Sequence, residues 1–369
     1  MNSRKLLTIV LGAGVVAGCS GARLPTPYMF AILAGPGAGV IGSGVDVSVK
    51  DAEHRVDITI DGKPFTSYLW QTNQRKPVLY PLIAPDGTTV TRGYPFAMRP
   101  GERVDHPHHA GLWFNYGNAN NFDFWNNSDA IKPADQPRYG AIHQDRIVAA
   151  KSGRDSGELV TESTWTTGAG DNIIAQTTRY VFSRQMIGGH PANTIDMTIT
   201  LKALTPVVFH DDKEGLLGIR VAHFLESPTE KGGVFMDANG KATQVAAADT
   251  AGATGVYRTS EGKVGDAVWS TRGRWCELSG TTADGKAETI AIFDRTGNPG
   301  YPAYWHARGY GLFAVNPLGA HIFDPKTPPM NFTIDKDKTA TFRYRVVILS
   351  GDATPDELNH QADRWDGEK

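Results

Sequence analysis

The stretch Ile195-Asp196-Met197-Thr198-Ile199-Thr200-Leu201 alternates apolar and polar residues without a break. Successive side chains of a strand point to opposite faces, so this run gives one face to Ile195, Met197, Ile199 and Leu201 and leaves Asp196, Thr198 and Thr200 on a wetter one. The same alternation recurs at Val45, Val47 and Val49, and at Phe342, Tyr344, Val346 and Ile348. Further strands are expected over residues 56–60, 65–70, 78–83, 143–150, 158–166, 173–183, 216–225, 267–271, 274–279, 289–294, 310–315 and 320–323. Asp61-Gly62, Asp86-Gly87, Asn239-Gly240 and Asp284-Gly285 supply turns between them. The pattern predicts an all-β fold, a large antiparallel β-sandwich of the supersandwich kind. One helix is signalled: Thr354-Pro355-Asp356-Glu357 is a capping box with Pro at the first helical position, opening a short C-terminal helix to about Trp365. No βαβ spacing and no Gly-rich phosphate loop after a strand is present, against a nucleotide-binding α/β domain.

The chain has 369 residues, a formal net charge of −2 and two cysteines. Nothing in that charge offers a footprint for nucleic acid, and two cysteines make no disulfide scaffold. Arg4 and Lys5, then the apolar stretch Leu6 to Val16, then Val16-Ala17-Gly18-Cys19 read as a bacterial export signal ending in a lipobox. The expected layout is a signal peptide at 1–18, a lipidated Cys19 opening a Gly-, Ala- and Pro-rich tether at 19–44, and one β-sandwich domain at 45–369. A weak boundary near Pro206 to Gly215 does not divide that body. Such a chain would be an exported lipoprotein held on the periplasmic side of the inner or outer membrane by its lipid.

The sharpest chemical feature is Arg103-Val104-Asp105-His106-Pro107-His108-His109-Ala110-Gly111-Leu112-Trp113-Phe114. Pro107 keeps this segment out of a central strand and makes it a loop leading into one at Leu112. Extended geometry would put His106 and His108 on one face and His109 on the other. Three imidazoles beside a carboxylate read as metal ligands, as an acid–base group, or as a structural hydrogen-bond cluster. His143 is a candidate to join them, giving His106, His108 and His143 as ligands for a divalent metal. The following stretch sets Trp113, Tyr116 and Trp125 among amides such as Asn118, a composition suited to sugar recognition or to a Trp-anchored core. A third cluster runs from Asn298 through Tyr304-Trp305-His306-Ala307-Arg308 to Tyr310-Gly311, expected as a Pro-rich loop forming a second wall. Arg92, Glu214 and Arg220 are further candidates.

These clusters, in this order, resemble a bacterial PmoA-like family labelled methane oxygenase PmoA. The matching stretches are Lys76 to Pro81, Thr91 to Pro95, Asp105 to His109 with Gly111-Leu112-Trp113, Asp212 to Val221, Asn298 to Phe313 with Asn316-Pro317, and Arg343 to Val346. The resemblance implies a β-sandwich associated with carbohydrate catabolism. Methane oxidation does not follow, because the body lacks any run of about 20 apolar residues.

The leading expectation is an exported, lipid-anchored enzyme that cleaves 3-keto-glycosides. His108 or His109 would take the acidified C2 proton, and His143 or His306 would protonate the leaving oxygen. Arg92, Arg308 or a metal would hold the enolate, and Trp113, Trp125 and Trp305 would stack on sugar rings. The alternatives are a mutarotase- or epimerase-like sugar enzyme using a His with Glu214, and a non-catalytic glycan-binding lipoprotein.

Overall fold

The computed structural model describes residues 43–71 and 73–368. The expected signal peptide, Cys19 and nearly all of the tether lie outside them. Two eight-stranded sheets dominate. The first contains, in spatial order, Val45–Lys50, Arg55–Ile60, Lys63–Leu69, Val78–Leu79, Leu112–Tyr116, Gly215–Arg220, Leu312–Asn316 and Tyr304–Arg308. The second contains Val256–Thr259, Trp275–Thr281, Ala287–Asp294, Thr339–Ser350, His190–Ala203, Asn172–Ile187, Ser156–Thr166 and Ala141–Lys151. Every pairing within both sheets is antiparallel.

The alternating stretch that opened the reading lies in His190–Ala203, paired with Thr339–Ser350 on one side and Asn172–Ile187 on the other. Its apolar set, Ile195, Met197, Ile199 and Leu201, joins Leu112, Phe114, Leu217, Ile219, Phe313 and Val315 from the first sheet in one core. Stacking the two sheets in a sandwich hides both inner faces at once. Among the described residues no helix is long and apolar enough to cross a membrane.

The C-terminal helix spans Pro355–Gly367 with the capping box formed: the Thr354 side chain accepts from the Glu357 backbone N–H, and Glu357 returns a bond to Thr354. Its Leu358, Ala362 and Trp365 cover Trp275, Phe293, Val347 and Leu349 on the outer face of the second sheet.

Five expected elements differ. The stretch 78–83 is strand only over Val78–Leu79, residues 267–271 begin inside a 3₁₀ turn, Gly265–Val268, and 320–323 form a helical turn, Ala320–Phe323. Apolar runs of about four residues do not separate a strand from a helical turn. The stretch 216–225 is strand only to Arg220, then turns through His223–Leu225. Tyr304–Arg308, expected as loop, is the edge strand of the first sheet; Pro302 lies just before it, where a missing N–H costs no ladder bond.

Candidate active site

Register decides which side chains share a face. Trp113 pairs with Gly218, Gly218 with Ala314, and Ala314 with His306, which sets these four across the first sheet. Arg220 pairs with Leu312, and Leu312 with Arg308, in the next row of the same face. Their in-between neighbours, Leu217, Ile219, Phe313 and Trp305, point into the core. The outer face is covered in turn by the loops around residues 92–111, 117–127 and 210–214. Gly218 is required here: a Cβ would stand 2.7 Å from the Trp113 ring and 3.0 Å from Trp125.

Asp105 is the hub of this face. Its Oδ1 accepts from Arg92 at 2.6 Å and from Arg220 at 2.8 Å, and lies 3.2 Å from His106 Nδ1. Burial pushes this carboxyl up, but the His106 bond and the Arg220 and Arg92 charges outweigh it and hold Asp105 well below the usual range. Arg92 also donates to the backbone oxygens of His106 and His109, which fixes the His-rich loop. The loop is a turn, not an extended segment: His109 N–H donates to the His106 carbonyl, and His106 sits at φ 44°. A bulky residue rarely adopts that backbone, and such strain concentrates at functional positions. The turn brings all three imidazoles together, with His106 stacked between His109 and Tyr310 at ring separations of 4.9 and 5.4 Å.

The three histidines then divide. His109 is buried, and its two ring nitrogens face Trp125 Nε1 and Arg220, both donor-only groups. An imidazolium there would point N–H at donors on both sides. Burial and the neighbouring positive charges push its pKa well down, so it stays neutral. His108 is also pushed strongly down, by burial and then by Lys76. Only His106 is exposed, with 42% of its side chain accessible and Nδ1 oriented by Asp105. Lys76, buried over Trp113 with Nζ on the His108 carbonyl, is pulled down to about 7 by burial.

A second group is built around residues 212–214. Tyr116 Oη accepts from the Asp212 N–H, Gly117 N–H donates to the Glu214 carbonyl, and Asn316 donates to the Asp212 and Lys213 carbonyls. His306 Nδ1 lies 2.9 Å from the Lys213 carbonyl, where it donates. Five contacts thus place Glu214, whose carboxyl is pushed up by burial and by Asp212 and Asp123 against the opposing pull of Lys213. His306 is pulled down to about 3 by burial and the Arg308 charge. Neutral His306 therefore accepts from Arg308 Nε at 3.3 Å, and the guanidinium lies flat on Trp269 at 3.6 Å. Tyr310 joins the two groups: Arg220 packs on its ring, and the charges of Glu214, Arg308 and Asp105 all act on its hydroxyl.

The face thus collects His106, His108, His109, Arg92, Arg220, Glu214, His306 and Arg308. Other sequence candidates are placed elsewhere. His143 is exposed on the edge strand of the second sheet and does not join the cluster. Among the described residues no three His, Cys, Asp or Glu side chains converge to hold a metal, so the His106, His108 and His143 set does not assemble. Trp305 and Tyr116 point into the core, and Trp113 and Trp125 are buried, leaving none of the four a free face for a sugar ring. Asn298 is a loop pin, bonded to Asp294 and to both backbone groups of Arg343. Asn118 caps its own turn through the Asn121 N–H. Sequence reasoning missed Trp269, Asp123 and the roles of Tyr310 and Lys76. A lysine inside the apolar setting of Pro77-Val78-Leu79 was the available signal for the last.

The fold and this face define a class: an antiparallel β-sandwich carrying a cluster of ionisable side chains on the outside of one sheet. The chain belongs to DUF6807, a family of unknown function, whose model matches residues 55–363. That match corrects the resemblance to the PmoA-like family, which no comparison supports. No curated protein matches the chain. Among solved structures, the galactose 1-epimerase from Lactobacillus acidophilus NCFM aligns with a TM-score of 0.36 at 10% identity, over 84% of this chain and 99% of that one. A likeness of that size carries no argument about activity.

Proposed function

We propose that this protein interconverts ring forms of a sugar by paired proton transfer, in the manner of an epimerase acting at C1. One observation carries the reading: two titratable groups in different surroundings, His106 beside an ionised Asp105 and Glu214 buried between Lys213 and the carboxylates Asp212 and Asp123, share the face that carries Tyr310. Such different environments divide the roles of base and acid. His106 Nε2 takes the proton of the C1 hydroxyl, and Asp105 stabilises the imidazolium. Glu214, held toward its protonated form, gives its proton to the ring oxygen. The C1–ring oxygen bond breaks, the C1 hydroxyl oxygen becomes the aldehyde, and rotation about C1–C2 precedes closure by the reverse transfers. Tyr310 and Trp269, both half-buried, hold Arg220 and Arg308 in place on this face.

Polarimetry on freshly dissolved α-anomers of D-glucose, D-galactose and D-galacturonate tests this. Acceleration is expected for at least one sugar, and His106→Ala and Glu214→Gln should each lower it about 10²–10⁴-fold. An intact protein that accelerates none of them overturns the reading.

A second reading, elimination from a 3-keto-glycoside, draws on Arg308. Its half-exposed guanidinium supplies the cation an enolate oxygen needs. His106 would take the C2 proton, the C1–O bond would break, and Glu214 would protonate the departing alcohol. Release of alcohol from a 3-keto-glycoside but not from its unoxidised parent would favour it. Attachment to a membrane through a lipid on Cys19 belongs to the same proposal. Cys19→Ala should move the protein from the membrane fraction to the soluble one.

A further inference from the structure

Arg308 differs from the other two arginines of its face. Arg92 and Arg220 are both committed to Asp105. Arg308 has no carboxylate within 4.0 Å among the described residues, and its terminal nitrogens have no protein partner there. Yet it is held at its inner end. Nε is engaged by His306, the plane lies on Trp269, and His306 is fixed in turn by the Lys213 carbonyl. Trp269 is itself braced edge-on by His306 and Phe323. A solvated arginine would be free to turn. This one is locked at one end with its two-pronged end open.

We propose that Arg308 receives an anionic substituent of the substrate, so that the sugar is an acidic one, carrying a carboxylate or a phosphate. This rests on the sugar-ring reading above. A planar guanidinium whose outer nitrogens are free matches two oxygens of such a group at once, which a lysine would not do. His306 is a positioning residue: neutral, it can only accept from Arg308 Nε, which aims the fork. Glu214 stands next along this chain of contacts, its carboxylate 3.8 Å from His306 Nδ1 and paired with Lys213 at 2.9 Å. An anion seated on Arg308 favours the protonated form of Glu214, the form in which it serves as the acid. The binding energy and the chemistry therefore act in the same direction.

Calorimetry on the full chain tests this with D-galacturonate, D-glucuronate and D-glucose 6-phosphate against D-galactose and D-glucose. At least one acidic sugar is expected to bind ten-fold or more tightly than its neutral counterpart. Arg308→Gln should bring that ratio close to one, and Arg308→Lys should restore part of it, with thermal unfolding showing that each variant is folded. Preference for the uronates identifies a carboxylate, and preference for the phosphate a phosphoryl group. Equal affinity for acidic and neutral sugars, no binding of any acidic sugar, or a ratio unchanged in Arg308→Gln overturns the proposal. The two readings fail separately. Tight uronate binding without anomerisation removes the catalytic reading alone, and anomerisation indifferent to charge removes this one alone. Ground-state calorimetry also excludes an enolate as the anion sensed, because no enolate exists before reaction.

Discussion

One edge of the second sheet and the middle of the first use their outer faces in opposite ways. In Ser156–Thr166 of the second sheet, burial alternates residue by residue, and its polar face carries ion pairs such as Arg146–Glu162 and Lys151–Glu158. In Leu112–Tyr116, Gly215–Arg220 and Leu312–Asn316 of the first, every position is buried. That edge meets water with charges that gain little from each other. The middle of the first sheet covers its charges with loops, where pairing decides whether they are tolerable at all. Strand alternation therefore reports a wetted outer face, and its loss reports a covered one, by loops over the middle of the first sheet and by the C-terminal helix over Ala287–Asp294 of the second.

The sharpest break of that contrast is Asp105→Asn, which leaves Arg92 and Arg220 buried without a counter-charge. Chemical denaturation should show a loss of about 3–5 kcal/mol. Trp305→Ala should cost about the same, roughly 3–5 kcal/mol, because it empties the interior between the sheets, while the folded fraction keeps its affinity for sugar. A substrate-stacking Trp305 would instead lose affinity at little cost in stability.

Lys76 gives a smaller effect with a defined pH window. Its folded-state pKa is lowered to about 7 from 10.5, so between these values the unfolded chain binds more protons and stability rises with pH. Below about 7 lysine is charged in both states and this dependence ends. Thermal unfolding of Lys76→Met should lose the rise between pH 7 and 10.5. Smallest of all is Arg146→Ala on the second sheet, which should leave the unfolding midpoint where it was.

The same contrast explains what could be read from sequence. Strands with one wet face, such as residues 195–201 and 342–348, announce themselves by period two, and the capping box at Thr354 needs only local chemistry. Asp105 and its neighbours were legible as a cluster, because three imidazoles in four residues are rare. Their division of labour was not. That His106 is exposed while His109 is walled in by Trp125 and Arg220 depends on one left-handed residue and on partners 16 and 111 positions away. Trp305 and Trp113 show the same limit: an aromatic in a buried strand faces either layer, and only register says which. Tyr310 and Trp269 acquire meaning through Arg220 and Arg308, contacts that no local pattern encodes.

Three groups, Arg92, Arg220 and His106, meet at one oxygen of Asp105. Substitutions among these four positions will not act independently. Once Asp105 is neutralised, removing one arginine should cost less than it does in the native protein, since it then relieves a repulsion instead of breaking a pair. A double-mutant cycle across Asp105 and Arg220 should therefore depart from additivity by roughly 0.5–3 kcal/mol. Change at this centre is expected to be tolerated in combinations that are each harmful alone.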